Sequence, residues 1–233
     1  MKMLTLLIFA LFISIPCEAR AEQQQIIPGK YVTEGGWGNL SILKNNNGEL
    51  AFEISALGAN AHMCELGGKI KGAQATLEGM EGYAPCVISF TPQNQQIEVT
   101  IKAGECSIYC GARAGFTAVY YKPGKDCTPA NVLKSRNRFK ALYDKKAYPQ
   151  AASALKPVLK NCEFYLPWPD KWWIRNDLAL TKHKLGLNAE CIKLLQPVSE
   201  WAKVVTLPPV EEELWKPIQK ATQTNIGLCQ KGL

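Results

Sequence analysis

Residues 105–127, ECSIYCGARAGFTAVYYKPGKDC, hold three of the nine cysteines and mark the point at which the sequence changes character. A Cys-x3-Cys loop leads into the alternating residues Phe116, Ala118 and Tyr120, and Pro123-Gly124 ends the run, which is the pattern of a terminal strand and its exit turn. On the N-terminal side the short apolar runs alternate with period two. On the C-terminal side the period becomes that of a helix.

Working back from this stretch, strands are expected near residues 29–32, 39–43, 50–54, 69–70, 75–77, 86–90, 97–101 and 115–121, and N45-N46-N47-G48 makes a hairpin turn after the second. Turns are expected at Gly67-Gly68 and at residues 79–82, 91–94 and 103–104. Short strands at this spacing, with no helical period between them, predict an antiparallel barrel or sandwich. Working forward, helices are expected over residues 132–145, 148–162, 171–185, 189–203 and 211–228. The fold class is therefore α+β, with residues 22–127 a disulfide-bonded β domain and 128–233 a helical domain. Beneath the helices lies a forty-residue repeat, in which AASALKPV (151–158) aligns with CIKLLQPV (191–198).

Residues 1–21 read as a signal peptide cleaved near Ala21: Lys2 is basic, residues 4–15 are apolar, and Ala19-Arg20-Ala21 is a small-x-small site. Ile15-Pro16 ahead of Cys17 do not fit a lipid-modified cysteine. No later segment approaches the ~20 apolar residues of a membrane span. Eight cysteines then remain in the exported chain, Cys64, Cys86, Cys106, Cys110, Cys127, Cys162, Cys191 and Cys229, an even number that favours four disulfides in a periplasmic or secreted protein. Cys64 with Cys86 and Cys106 with Cys110 is the preferred pairing in the first half, although four cysteines allow three connectivities.

Charge is uneven. Residues 22–128 carry a balance of −2 and residues 129–233 a balance of +8, so a partner of the helical half is expected to be acidic. No hydrolase, phosphate-loop or metal signature occurs, so neither a catalytic residue nor a cofactor is expected, and no nucleic-acid partner. His62, beside Met63-Cys64, reads as a loop histidine next to a structural cysteine, and His183 as a helix packing residue. The candidate binding surface is FYLPWPDKWW (164–173), where five aromatics and two prolines separate two helices. Trp168, expected to be exposed, and Trp172 would anchor a partner, with Lys171 and Arg175 as cationic contacts and Asp170 as the N-cap that orients them. Arg113, framed by small residues in GARAG (111–115), is a second candidate.

The segments LYDKKAYPQA (142–151) and LGLNAEC (185–191) resemble the turn and second-helix start of tetratricopeptide repeats, although the forty-residue period exceeds the ~34 residues of that family. Tyr148 and Ala151 fit the aromatic and small positions; Asn188 and Cys191 occupy their equivalents. The resemblance implies a module that binds a protein or peptide. The export signal, the cysteine-stapled β domain and YCGARAGF (109–116) resemble the plan of periplasmic lysozyme inhibitors, without the Ser-Gly-Ser-Gly-type loop one such family inserts into its target. Together these give the expectation of a non-enzymatic envelope protein that binds another envelope or secreted protein. Its most concrete form is an inhibitor or immunity protein that occludes a peptidoglycan-cleaving enzyme or toxin. The alternatives are a scaffold or adaptor in cell-envelope or surface-structure assembly and a glycan-binding or peptidoglycan-acting protein.

Overall fold

A computed structural model describes residues 25–79 and 81–232. The expected signal peptide lies outside the described residues. The first half is an eight-stranded antiparallel meander: β1 (Gly29–Thr33), β2 (Gly38–Lys44), β3 (Leu50–Leu57), β4 (Met63–Ile70), β5 (Gln74–Leu77), β6 (Cys86–Gln93), β7 (Gln96–Ala103) and β8 (Ala118–Tyr121). The order in the sheet is β4-β3-β2-β1-β8-β7-β6-β5. The first and last strands therefore pair, Val32 opposite Tyr121 and Thr33 opposite Tyr120. At the other end β4 and β5 are joined only through the Lys71–Gln74 bridge, which leaves the barrel nearly closed.

Alternation decides what fills it. Leu40 and Ile42, then Phe52, Ile54 and Ala56, then Ile88 and Phe90, and Ile97 and Val99, all point inward and are buried. Phe52 meets Phe90 edge to face across the interior at 4.9 Å. Tyr120 is fully buried, and its hydroxyl donates to the Phe116 carbonyl at 2.7 Å, so the one polar atom on this side chain is satisfied. Burial raises its pKa well above the ordinary tyrosine value.

Two turn expectations are corrected. Gly67 and Gly68 lie inside β4, which begins at Met63 rather than near Lys69. A Cβ at Gly68 would stand 2.8 Å from Leu77 Cδ2, so these glycines serve a close approach across the barrel and not a reversal of the chain. Residues Thr91 to Gln93 continue β6, and Pro92 sits beyond the part of that strand paired with β5. Its missing N–H costs no ladder bond on that side.

All eight cysteines outside the expected signal peptide are bonded: Cys64–Cys110, Cys86–Cys106, Cys127–Cys162 and Cys191–Cys229. The preferred pairing of Cys64 with Cys86 and Cys106 with Cys110 is overturned by strand register. The β6–β7 hairpin sets Val87 opposite Ala103, which carries Cys106 round to Cys86. An isolated bridge sets Cys64 beside Cys110.

The second half is five helices: α1 (Pro129–Asp144), α2 (Tyr148–Cys162), α3 (Trp168–Lys184), α4 (Asn188–Val204) and α5 (Pro209–Lys231). Thr128 caps α1 by accepting from the Asn131 N–H. The forty-residue repeat shows itself in the helix ends. After α1, Ala147 N–H donates to the Leu142 carbonyl and Lys146 N–H to that of Tyr143; after α3, Leu187 and Gly186 donate to Lys182 and His183. These are two copies of one left-handed C-terminal motif, centred on Lys146 at φ 59° and Gly186 at φ 74°. Leu155, Ile174 and Leu178 fill the space between α2 and α3, while Trp172, Val198, Trp215 and Ile218 fill that beneath α4 and α5. Among the described residues no helix is long and apolar enough to cross a membrane.

Candidate binding surfaces

Helix α3 is used on three sides. Trp168, Trp172 and Asn176, four residues apart, turn towards α4 and α5. Trp168 stacks on Trp201 with centroids 5.2 Å apart, Trp201 meets Trp215 edge to face at 4.9 Å, and Trp172 is buried. Below them Asn176 donates to the Thr222 hydroxyl at 2.9 Å and accepts from Asn225 at 3.0 Å, a buried polar link that fixes α5 on α3. Trp168 is thus half-buried and not the exposed anchor expected of it; the tryptophans of the segment pack between helices, while Phe164 stays exposed and meets Tyr121 of the barrel. Nor does Asp170 cap the helix, which starts two residues earlier, after Pro167. Asp170 instead pairs with Arg136 of α1.

Seven residues along, two turns on the same side of α3, Asp177 also faces α1. With Arg136 held by Asp170, burial dominates at Asp177 and pushes its carboxyl up to about 6, against a weaker downward pull from Arg136. Burial also raises the neighbouring Tyr143, and Tyr148 and Asp177 act in the same direction.

A further side of α3, between the tryptophan side and the α1 side, is the floor of a trough of about 1030 Å³ between α2 and α4. Arg175, Leu178, Lys182 and Leu185, spaced three, four and three, lie along it. The walls come from repeat-equivalent positions forty residues apart, Lys156 with Gln196 and Lys160 with Glu200 among them. Arg175 is paired with Glu163 at 2.7 Å and Lys182 with Glu190 at 2.7 Å.

A different surface lies on the barrel. On the outer face of β3 and β4, Leu57 stands opposite Met63, Ser55 opposite Glu65 and Glu53 opposite Gly67. Leu57 and Met63 are about half exposed, at 53% and 46%. The chain between them turns at residues 58–62 with Asn60 and Ala61 both at φ 55°, backbone that only a firm surround holds in place. That surround is visible. A Cβ at Gly58 would lie 2.1 Å from the Arg113 carbonyl oxygen, which accepts from Ala59 N–H, and Gly111 N–H donates to the Met63 carbonyl beside the Cys64–Cys110 disulfide. From the helical half, Glu211 Oε1 accepts from Asn60 N–H at 2.8 Å, while Asn60 Oδ1 accepts from Val210 N–H at the start of α5. This reciprocal cap, across 151 residues, clamps α5 to the barrel loop. Val210 and Leu214, successive turns of α5, add exposed apolar surface beside it.

The five residues singled out in the sequence are not brought together. Trp168 and Trp172 are in the helical packing, with the Lys171 ammonium 4.4 Å from the Trp172 ring centroid; Arg175 is in the trough; Arg113 is exposed on the barrel loop. Sequence reading passed over Leu57 and Met63, although Leu57 is out of phase with Phe52, Ile54 and Ala56 and so had to face outward. Comparison of the chain with models of protein families, with curated proteins and with solved structures finds no match in any of the three. The two resemblances noted in the sequence are therefore supported as architecture alone, a nearly closed barrel followed by five helices.

Proposed function

We propose that the chain is a protein-binding module of the cell envelope, most concretely an inhibitor or immunity protein that occludes a peptidoglycan-cleaving enzyme or toxin. The observation that carries this reading is the strip Glu53, Ser55, Leu57 against Gly67, Glu65, Met63. It is apolar at one end, acidic at the other, and stiffened by a disulfide and by the α5 clamp. A surface already held in one conformation loses little entropy on docking, which is what an occluding protein needs. Adjacent exposed apolar side chains on such a frame support docking of a partner there, and the two carboxylates suit a cationic rim around an enzyme cleft. Four disulfides fit an oxidising compartment outside the cytoplasm.

The test is capture of partners from an envelope extract on the oxidised chain, followed by an activity assay of whatever cleaves peptidoglycan among them. Leu57→Asp with Met63→Asp, both at exposed positions, is expected to abolish capture and inhibition while leaving the circular dichroism spectrum unchanged. A captured lytic enzyme that keeps its full activity overturns the inhibitor reading. Recovery of assembly proteins instead favours the scaffold, a reading supported by the trough between α2 and α4. The glycan reading rested on the aromatic segment, whose tryptophans are engaged with one another.

A further inference from the structure

The trough over α3 has a charge pattern of its own. Five cations line it, Lys156, Lys160, Arg175, Lys182 and Lys193, against three carboxylates, Glu163, Glu190 and Glu200. Two of the cations are neutralised in place, Arg175 by Glu163 and Lys182 by Glu190. Among the described residues Lys156, Lys160 and Lys193 form no ion pair. Glu190 reports how closely the cations gather: its carboxyl is held below the ordinary range by the hydrogen bond and charge of Lys182, and further by Lys156 and Lys193. Lys182 of α3 is the one in contact with Glu190, and Lys156 of α2 and Lys193 of α4 line the same trough, leaving positive charge over.

Between these charges the trough is apolar, with Leu159, Leu178, Leu185 and Leu194 among its lining residues. It is open to solvent, with α2 and α4 each packed on α3 along its two sides. That shape takes a chain rather than a compact ion, and its chemistry asks for leucine-sized side chains between carboxylates.

We propose that this trough is a second binding site, for an acidic amphipathic peptide segment of a partner protein, whose apolar side chains sit on the leucines and whose Asp or Glu carboxylates meet Lys156, Lys160 and Lys193. The site stands on other residues than the barrel strip, so failure of either reading leaves the other intact.

The experiment is selection of random peptides displayed on phage against the oxidised chain, with anisotropy measurements on fluorescein-labelled copies of the enriched sequences. Enriched peptides are expected to carry Asp and Glu among Leu, Ile and Val. They should bind the Lys156→Glu, Lys193→Glu variant about tenfold more weakly, because two reversed charges act at partly screened sites. Affinity should fall with added salt, and Leu57→Asp with Met63→Asp should leave it unchanged. Both lysines are exposed, and an unchanged unfolding midpoint checks that the double variant folds. Absence of enrichment, enrichment without acidic residues, or equal affinity for the charge-reversed variant each overturns the proposal. So does displacement of the peptides by heparin or inorganic phosphate with no sequence preference, which would make the lysines a general anion patch.

Discussion

Replacing Asp177 by Asn isolates the electrostatics of the α1–α3 contact. The carboxyl is close in shape to the amide that replaces it, so packing is preserved and the charge alone is removed. Folding moves the Asp177 pKa from 3.8 to about 6, chiefly by burial. A group that is harder to ionise when folded stabilises the protein only while protonated. Its favourable contribution is complete below about pH 3.8 and is lost as the pH rises through 6. A shift of about two units at ~1.4 kcal/mol each sets a ceiling of about 3 kcal/mol. Asp177 keeps part of its surface in water, which reduces this to about 1–2 kcal/mol. Urea unfolding followed by tryptophan fluorescence is the assay, since Trp172 and Trp215 are buried in the same helical layer. Comparison of variant with wild type at each pH cancels the titration of every other carboxylate. The difference is expected to be near zero at about pH 4 and to grow to about 1–2 kcal/mol in favour of Asn at about pH 7.5. A difference that is constant with pH, or that favours Asp at neutral pH, refutes the reasoning: it would mean that Arg136 serves Asp177 as well as Asp170.

Lys146 occupies the left-handed position that Gly186 fills forty residues later. Lys146→Gly is expected to stabilise the chain by about 0.5–1 kcal/mol, the relief of the side-chain clash less the added freedom of the unfolded chain, seen as a rise of about 2 °C in the melting temperature. A fall in melting temperature would contradict the motif. Glu211→Ala removes the acceptor for Asn60 N–H, and hydrogen exchange at residues 58–62 is expected to accelerate while amides within α2 keep their protection. Unchanged exchange at Asn60 would show that the disulfide and Arg113 contacts hold the loop without α5.

What the sequence made legible follows the range of the interactions. The bounds of α2 could be read directly because Pro149 and the close of the apolar period at Cys162 are local signals. Most strands were likewise read from alternation within a few residues. The misreadings involve distant partners. Gly67 and Gly68 resemble a turn until β5 is known to lie against them. The cysteine pairs depend on the β6–β7 register and on a bridge spanning 46 residues. Helical phase puts Trp172 on one side of the helix expected from Lys171 and Arg175, Leu178 and Lys182 on another, while Trp168 read as part of the segment ahead of it. The phase did not say which side α5 would cover, and so the tryptophans passed for a docking surface. Leu57 and Met63 are separated by a turn whose shape is set by Arg113 and Glu211, neither of them nearby in the chain.

The order of the cysteines has a consequence for how the protein is made. In the helical half each cysteine bonds to the next one along, Cys127 to Cys162 and Cys191 to Cys229. In the barrel the bonds are nested, Cys86–Cys106 inside Cys64–Cys110. A chain threaded N-terminus first into an oxidising compartment presents Cys86 to Cys64 before either native partner has arrived. Oxidation in order of arrival would therefore join the wrong neighbours in the barrel and the right ones in the helices. Bonds formed in that order would have to exchange by thiolate attack before the nested native pairs could form. The helical half has no such debt, so a cell lacking a disulfide isomerase would yield chains with sound helices and a scrambled barrel.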